Sequence, residues 1–290
     1  MKMNKKIKTY VLILSIFIML IFISCSSAPK NPGDDYSLRN QAEEGLKTSN
    51  KEAGRGNLER ALTLLNGYKR QAILTDDPSL IIRICLSRGN VLFSLGRTNE
   101  AFEEWDYALG EAEKFKNIEL LSVSRIFYAR GNLNAGRVSA QSVLDEVNRE
   151  SVNIKKDRLF IAFSWQVRGL ALRSLGRYTE AETAIRRSLE IHEKDRYLEN
   201  ASYDWYIIAS IRSLAGNTAG ALQALETSIA IDRRIENSWG LAASWRAMGD
   251  VYRKAGRNNE ALEAFTRARA IYAAIGNEHE VAEIDNRINN

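Results

Sequence analysis

The chain has very few of the residues from which disulfide frameworks and metal or nucleophile sites are built. Its 290 residues include only two cysteines and two histidines. If one cysteine is modified, no internal disulfide can form. His192 and His279 have no partners at the spacing of a metal site or a catalytic triad. Gly54-Arg55-Gly56 lacks the strand and lysine of a phosphate loop. We therefore predict no catalytic residue, no metal and no cofactor.

A large excess of one charge sign is also missing. Four lysines lie within the first eight positions, so the rest of the chain carries 37 basic and 36 acidic residues. A nearly neutral body has no general attraction for nucleic acid or anionic lipid. We therefore predict no nucleic-acid partner.

The first 24 residues predict a signal peptide, because a basic start is followed by an apolar run over residues 10–23 that is short for a membrane span. The run ends at Cys25 in a pattern that resembles a bacterial lipobox, with Phe22 in place of the usual leucine. The resemblance implies that Cys25 carries lipid, including palmitate, and that residues 25–35 form a tether. The serine after Cys25 favours the periplasmic face of the outer membrane. The alternative is an uncleaved anchor or an ordinary signal peptide.

A glycine that recurs every 40 residues organises the remaining chain: Gly56, Gly96, Gly136, Gly176, Gly216 and Gly256. A small residue stands seven positions before each glycine. In most copies an alanine and a large apolar residue follow five and nine positions after it, but Gln141 and Asp145 break this pattern. The apolar spacings of three and four predict two amphipathic helices around each glycine turn. Such hairpins must stack to bury their apolar faces, and we interpret the third copy as degenerate.

Polar turn residues repeat with the same period. The residues that stand three positions after four of the glycines predict N-caps for the second helices, namely Asn99, Ser139, Thr179 and Asn259. The residues that stand 21 positions after five of the glycines predict caps for the helix that follows the hairpin, namely Asp77, Asn117, Asp157, Asn237 and Asn277. Beyond the last of these, Val281, Ile284 and Ile288 predict a helix that covers the final hairpin.

This pattern resembles the tetratricopeptide repeat (TPR), in its 40-residue subtype, over residues 36–290. The resemblance implies an all-α fold: an αα-hairpin solenoid, a TPR-like right-handed superhelix of about six repeats plus a C-terminal capping helix. We expect one elongated body in which each hairpin touches only its neighbours. It also implies that the first helices line a concave groove for segments of partner proteins.

Residues of the first helices outside the hairpin core are the candidate groove contacts. We predict partner binding by Asn50, Arg83, Asn90, Arg130, Arg173, Tyr203, Tyr206, Arg246, Asp250 and Arg253. In the 40-residue subtype an asparagine after the small residue commonly holds a peptide backbone, and Asn90 after Gly89 matches this. The arginines and tyrosines favour a segment with acidic and apolar anchors. Whether Val123, Ile126 and Phe163 line the groove or pack between repeats is left open.

Together these features predict a membrane-anchored periplasmic TPR lipoprotein that acts as a protein–protein interaction scaffold. One alternative is an accessory component of a transport system, which self-associates and handles a small ligand. It predicts an apolar pocket near the third repeat. The other alternative is an envelope enzyme, which predicts a carboxylate or histidine cluster in a cleft. The identity of the partner and the oligomeric state are not encoded in any of these patterns.

Overall fold

A computed structural model of the protein describes residues 37–289, which form helices and no β-strand. The helices are α1 (Leu38–Gly54), α2 (Leu58–Leu74), α3 (Pro78–Ser94), α4 (Thr98–Lys114), α5 (Ile118–Asn134), α6 (Ala140–Glu150), α7 (Arg158–Ser174), α8 (Tyr178–Lys194), α9 (Leu198–Leu214), α10 (Thr218–Ile235), α11 (Ser238–Lys254), α12 (Asn258–Ala274) and α13 (Glu278–Asn289). Consecutive helices pair as six antiparallel hairpins, from hairpin one (α1–α2) to hairpin six (α11–α12), and α13 follows. The predicted all-α hairpin solenoid is confirmed. The predicted signal peptide, Cys25 and the tether lie outside the described residues.

The six periodic glycines form the hairpin turns, as predicted. Their φ angles lie between +66° and +87°, in the left-handed region that other L-residues enter only with strain. In the first turn the amide of Gly56 donates to the carbonyl of Ala53 (2.9 Å), and that of Asn57 donates to Glu52 (2.9 Å). These bonds satisfy carbonyls at the end of α1 and fix the turn geometry.

The capping predictions are confirmed at one end of the hairpins and largely wrong at the other. Each predicted cap of a following helix accepts backbone N–H groups with its side-chain oxygen: Asp77, Asn117, Asp157, Asn237 and Asn277. Of the predicted caps of second helices, only Ser139 is correct. At Asn99, Thr179 and Asn259 the helix has already begun, because it starts two residues after the turn glycine.

Large side chains of the second helices fill space that the small residues of the first helices leave. A Cβ atom on Gly89 would lie 2.1 Å from Trp105 Nε1, and one on Gly249 would lie 2.5 Å from Phe265 Cε1. Both aromatic side chains are at most 2% exposed. The predicted close approach of paired helices is therefore confirmed, and any larger residue at these glycines would force the helices apart.

The third hairpin keeps a packed core although its predicted core positions are polar. Helix α6 begins at Ala140, four residues after Gly136 rather than two, and has only 11 residues. Its buried face is therefore shifted by two positions, to Val143, Leu144 and Val147, while Gln141 and Asp145 are exposed. Hairpin three is shortened and re-registered, which explains why the periodic pattern failed there.

The two ends of the solenoid touch, so the expectation that each hairpin contacts only its neighbours is wrong. The first helices contact one another in sequence, and α11 also contacts α1. Arg55 Nη2 lies 2.7 Å from Glu236 Oε2 across this contact. Two glycines allow the close approach. A Cβ atom on Gly54 would lie 3.3 Å from Asn237 Oδ1, and one on Gly56 would lie 2.6 Å from Ile275 Cδ1. We call this contact the closure.

Reversing one charge of the closure should loosen α1. Glu236→Arg places two cations together, so we expect amide hydrogen exchange in α1 to accelerate by at least roughly twofold, the effect of losing a partly exposed ion pair. Hydrogen-exchange mass spectrometry measures this change. The double variant Arg55→Glu/Glu236→Arg should restore slow exchange. The control is Glu100→Arg on α4, which disrupts an exposed ion pair with the preceding Arg97. It should leave amide exchange in α1 unchanged. Equal exchange in α1 of Glu236→Arg and the original protein would contradict the closure.

Candidate partner-binding groove

The inner wall of the solenoid brings five of the predicted groove residues together. Because the first helices contact one another, residues far apart in sequence become neighbours on this wall. We use the name Arg130 cluster for Asn90, Arg130, Arg173, Tyr203 and Tyr206, which come from hairpins two to five. The structure thus joins candidates that the sequence could only place at equivalent repeat positions.

Arg130 is the centre of the cluster and has no counter-ion in the described part of the chain. Its Nη2 donates to Asn90 Oδ1 (2.6 Å), and its guanidinium lies 5.1 Å from the ring centroid of Phe163. Among residues 37–289, no carboxylate lies within ion-pair distance of Arg130, and its buried Nε has no hydrogen-bond partner. Burial lowers the pKa of Arg130, although an arginine stays charged. A cation held this way is preorganised for an external anion.

The tyrosines and the second arginine extend the cluster along the groove. The rings of Tyr203 and Tyr206 are stacked, with centroids 6.0 Å apart, and Tyr203 is 43% exposed. Burial of the surrounding wall raises the pKa of the Tyr203 phenol, while Arg130 and Arg173 act in the opposite direction. Among residues 37–289, the one side chain to which Arg173 donates is Ser210, through its Oγ (3.3 Å). The cluster therefore combines two unneutralised cations with exposed aromatic surface.

The predicted residues of α11 have internal partners instead. Arg246 pairs with Glu280 of the capping helix. Asp250 lies 2.7 Å from Arg287 Nη1, and Arg253 donates to the carbonyl of Arg287 (3.1 Å). These three side chains fasten α13 to hairpin six. Their role in partner binding stays a prediction.

The remaining candidates are packing residues, one residue that lines a cavity at the closure (Asn50), and Arg83. Val123 and Ile126 are fully buried and Phe163 is 9% exposed, so the open question is settled in favour of packing between repeats. Asn50 accepts a hydrogen bond from Ser87 (2.6 Å). Arg83 lies half-buried on α3, and no contact within the described chain joins it to the Arg130 cluster.

A cavity of about 450 Å³ lies where the closure brings hairpins one and two against hairpins five and six. Its lining includes Tyr203, Tyr206, Trp239, Tyr272 and Asp232. Tyr203 and Tyr206 belong both to this lining and to the Arg130 cluster, so the cavity and the cluster are continuous. The transport alternative predicts a pocket at the third hairpin, whereas this cavity lies at the closure.

Asp232 is a buried carboxylate with only one satisfied oxygen. It is 1% exposed, and its Oδ1 accepts from Asn237 Nδ2 (2.7 Å). Its Oδ2 has no hydrogen-bond partner. Burial raises the pKa of Asp232 to about 6, although Ser202 and Asn237 act to lower it. With this pKa the carboxyl is mainly ionised at neutral pH and becomes mainly protonated below about pH 6.

Two separate stretches of the chain match models of the tetratricopeptide repeat, residues 168–194 and residues 201–274. These two stretches are therefore tetratricopeptide repeats.

Solved structures with the same TPR-like architecture are distant in sequence. A Rap protein complexed with competence and sporulation factor is 14% identical, with 99% of this chain and 87% of that chain covered and a TM-score of 0.58. BtubC (BKLC) from P. vanneervenii is 16% identical, with 78% and 92% covered and a TM-score of 0.52. The apo form of RapI is 14% identical, with 84% and 94% covered and a TM-score of 0.51. These likenesses concern the fold alone. No curated protein matches the chain.

One TPR histidine has a partner that the sequence analysis missed. His192 Nδ1 lies 2.7 Å from Asp204 Oδ2, and Asp204 Oδ1 accepts from Gln166 Nε2 (2.8 Å). Both His192 and Asp204 are completely buried, so the pair joins helices of hairpins four and five and does not reach solvent. Within residues 37–289 there is no group of three metal-type ligands, and no helix combines the length and apolarity needed to cross a bilayer. The absence of catalysis stays a prediction.

Comparison of equivalent positions in the hairpins distinguishes two buried polar residues of the core, His192 and Asp232. Sixteen residues after the turn glycines, hairpins one and two have Ala72 and Ala112, while hairpins four and five have His192 and Asp232. All four side chains are buried. Hairpins three and six have Val152 and Tyr272 in this column. A histidine and an aspartate at positions where other hairpins have alanine, valine or tyrosine could have indicated both sites from the sequence.

Proposed function

We propose that this TPR protein is a scaffold that holds an extended segment of a partner protein in its groove, with an acidic residue of the segment against Arg130. The observation that carries this proposal is the missing counter-ion of Arg130, which is fixed by Asn90 and by the neighbouring ring of Phe163. A carboxylate from outside would complete the guanidinium with charge-assisted hydrogen bonds. The exposed ring of Tyr203 offers an apolar anchor beside it.

The fold comparison is compatible with this function. The Rap protein, whose architecture resembles this chain, is described as a complex with competence and sporulation factor. A TPR scaffold is generally a protein-interaction module, and it acts through binding alone. No cofactor is required for the role that we propose.

Removing the Arg130 charge should weaken binding of an acidic segment. For Arg130→Gln we expect roughly 10- to 100-fold weaker binding of a labelled peptide of alternating aspartate and leucine, the range for a lost charge-assisted bond. Fluorescence polarisation measures the affinity. Arg70→Gln is the matched control, because Arg70 is an exposed arginine on the outer helix α2. A second labelled peptide of alternating lysine and leucine, used as a charge control, should bind weakly to both the original protein and Arg130→Gln. Unchanged affinity in Arg130→Gln would overturn the groove assignment.

The same question can be asked in intact cells. The triple variant of Asn90, Arg130 and Tyr206 to alanine should lose crosslinked partners that the original protein captures, while its helical content and melting temperature stay the same. Retained capture with the same partners would contradict the proposed site.

We further propose that lipid on Cys25 holds the TPR body at the periplasmic face of the outer membrane. This part rests on the sequence pattern of residues 1–35. Cys25→Ser should abolish incorporation of labelled palmitate and release the protein from the membrane fraction. The other cysteine, Cys85, is buried, and Cys85→Ser serves as the control that should keep the label. Palmitate in Cys25→Ser would exclude the proposed attachment.

A further inference from the structure

The cavity at the closure contains a carboxylate, Asp232, that no ion pair within residues 37–289 neutralises. Asp232 Oδ2 has no hydrogen-bond partner although the side chain is 99% buried. Two cations of this region are associated with other carboxylates. Arg246 pairs with Glu280, and Lys51 lies near Glu199. A buried polar atom without a partner is costly, so a polar or charged group from outside would be favoured beside it.

The fold itself does not require a carboxylate at this position. Ala72 and Ala112 occupy the equivalent column in hairpins one and two and are equally buried. Packing of the TPR core is therefore achieved elsewhere without a charge. Asp232 is an addition specific to hairpin five, where the cavity lies.

The surroundings of Asp232 are suited to a cation. Aromatic rings of Tyr203, Tyr206, Trp239 and Tyr272 line the cavity, and their faces attract cations. Ser202, Ser228 and Ser244 line it as well, and their hydroxyl groups hydrogen-bond to one another, so this part of the wall is polar but uncharged. Gly240 lies directly beside the carboxylate, and a side chain there would clash with it, because a Cβ atom would lie 2.7 Å from Asp232 Oδ2.

We propose that this cavity binds the ammonium group of a small amine with an apolar or aromatic body. The buried charge of Asp232 attracts the ammonium group, and the aromatic rings enclose the rest of the ligand. The inference does not rest on the proposed function, because Arg130 takes no part in it. The groove and the cavity then select opposite charges at neighbouring points of one inner wall.

Calorimetric titration with three probes tests the proposal. Phenethylammonium, phenethyl alcohol and hydrocinnamate share a phenylethyl body and end in a cation, a neutral hydroxyl and an anion. We expect phenethylammonium to bind at least about tenfold more tightly than the alcohol, with no binding of the anion. Asp232→Asn should abolish this preference, and Arg130→Gln should preserve it. A lysine-containing peptide that binds Asp232-dependently while phenethylammonium does not would assign the ammonium group to a protein segment and overturn the small-amine proposal.

A second variant guards against loss of fold in Asp232→Asn. Trp239→Leu removes one aromatic face, and we expect several-fold weaker binding of phenethylammonium with little change for the alcohol. Circular dichroism establishes that each variant is helical. No binding by the original protein, or equal binding of ammonium and alcohol, would refute the proposal.

Discussion

Replacing Trp105 with alanine should lower the free energy of unfolding by about 3–5 kcal/mol, the largest effect that we expect from a single substitution in this protein. Trp105 is 1% exposed and packs edge-to-face on Phe102, with ring centroids 5.2 Å apart. Its Nε1 donates to the carbonyl of Leu86 (3.3 Å). The cavity left by its removal cannot close easily, because Gly89 and Gly131 beside it have no side chains to fill the space. Chemical denaturation followed by circular dichroism measures the change.

A double-mutant cycle makes this prediction specific to the pairing of Trp105 with Gly89. A Cβ atom on Gly89 would lie 2.1 Å from Trp105 Nε1, so Gly89→Ala alone should be clearly destabilising. In the Trp105→Ala background the obstacle is gone, and the same substitution should be neutral or stabilising. Trp165→Ala is the matched control. Because that ring is only half-buried, its loss should cost less than half as much. Additive effects of the two substitutions would contradict the packing described here.

The second large effect is a dependence of stability on pH that comes from Asp232. Burial raises the pKa of this carboxyl from 3.8 to about 6, so the folded protein binds the proton more tightly than the unfolded chain. Its contribution is fully present below about pH 4 and is lost as pH rises towards 6. The difference between these two pKa values corresponds to about 3 kcal/mol in the free energy of unfolding. The Asp232→Asn variant should not lose this stability as pH rises.

The measurement is the difference in free energy of unfolding between Asp232→Asn and the original protein, taken from about pH 4 to about pH 7. Other charged groups near the cavity are Glu199, Glu280, Arg246 and Lys51, and they are present in both proteins. Carboxyls with lowered pKa values, such as Asp77 and Glu182, make stability rise with pH, but they too cancel in the difference. A difference that does not change with pH would show that Asp232 has an ordinary pKa.

Much of the fold follows from the sequence because local and periodic signals agree. Each turn needs a residue that tolerates a positive φ angle, and glycine fills that need every 40 residues. Small and large residues at fixed distances then set how closely the helices approach. The pattern fails at hairpin three because a two-residue delay in the start of α6 moves every buried position. A fixed-period alignment cannot represent such a shift.

The site was predicted less completely, for two physical reasons. Side chains of α11 were placed in the groove because the sequence does not indicate that Arg287 and Glu280 of α13 neutralise them. The closure was missed because the curvature of a solenoid is the sum of small rotations between repeats. None of these rotations is specified by a short motif, so the meeting of Arg55 with Glu236 appears only in three dimensions.

The closure also has a consequence for how the chain is made. Arg55 precedes Glu236 by 181 residues, so hairpin one has no partner at the closure until the chain as far as α11 has emerged and folded. During that interval the glycine-lined edge of α1 and its turn is bare. Nascent chains that stop before α11 keep this edge uncovered, and they are the species of this protein that a chaperone or protease would meet first.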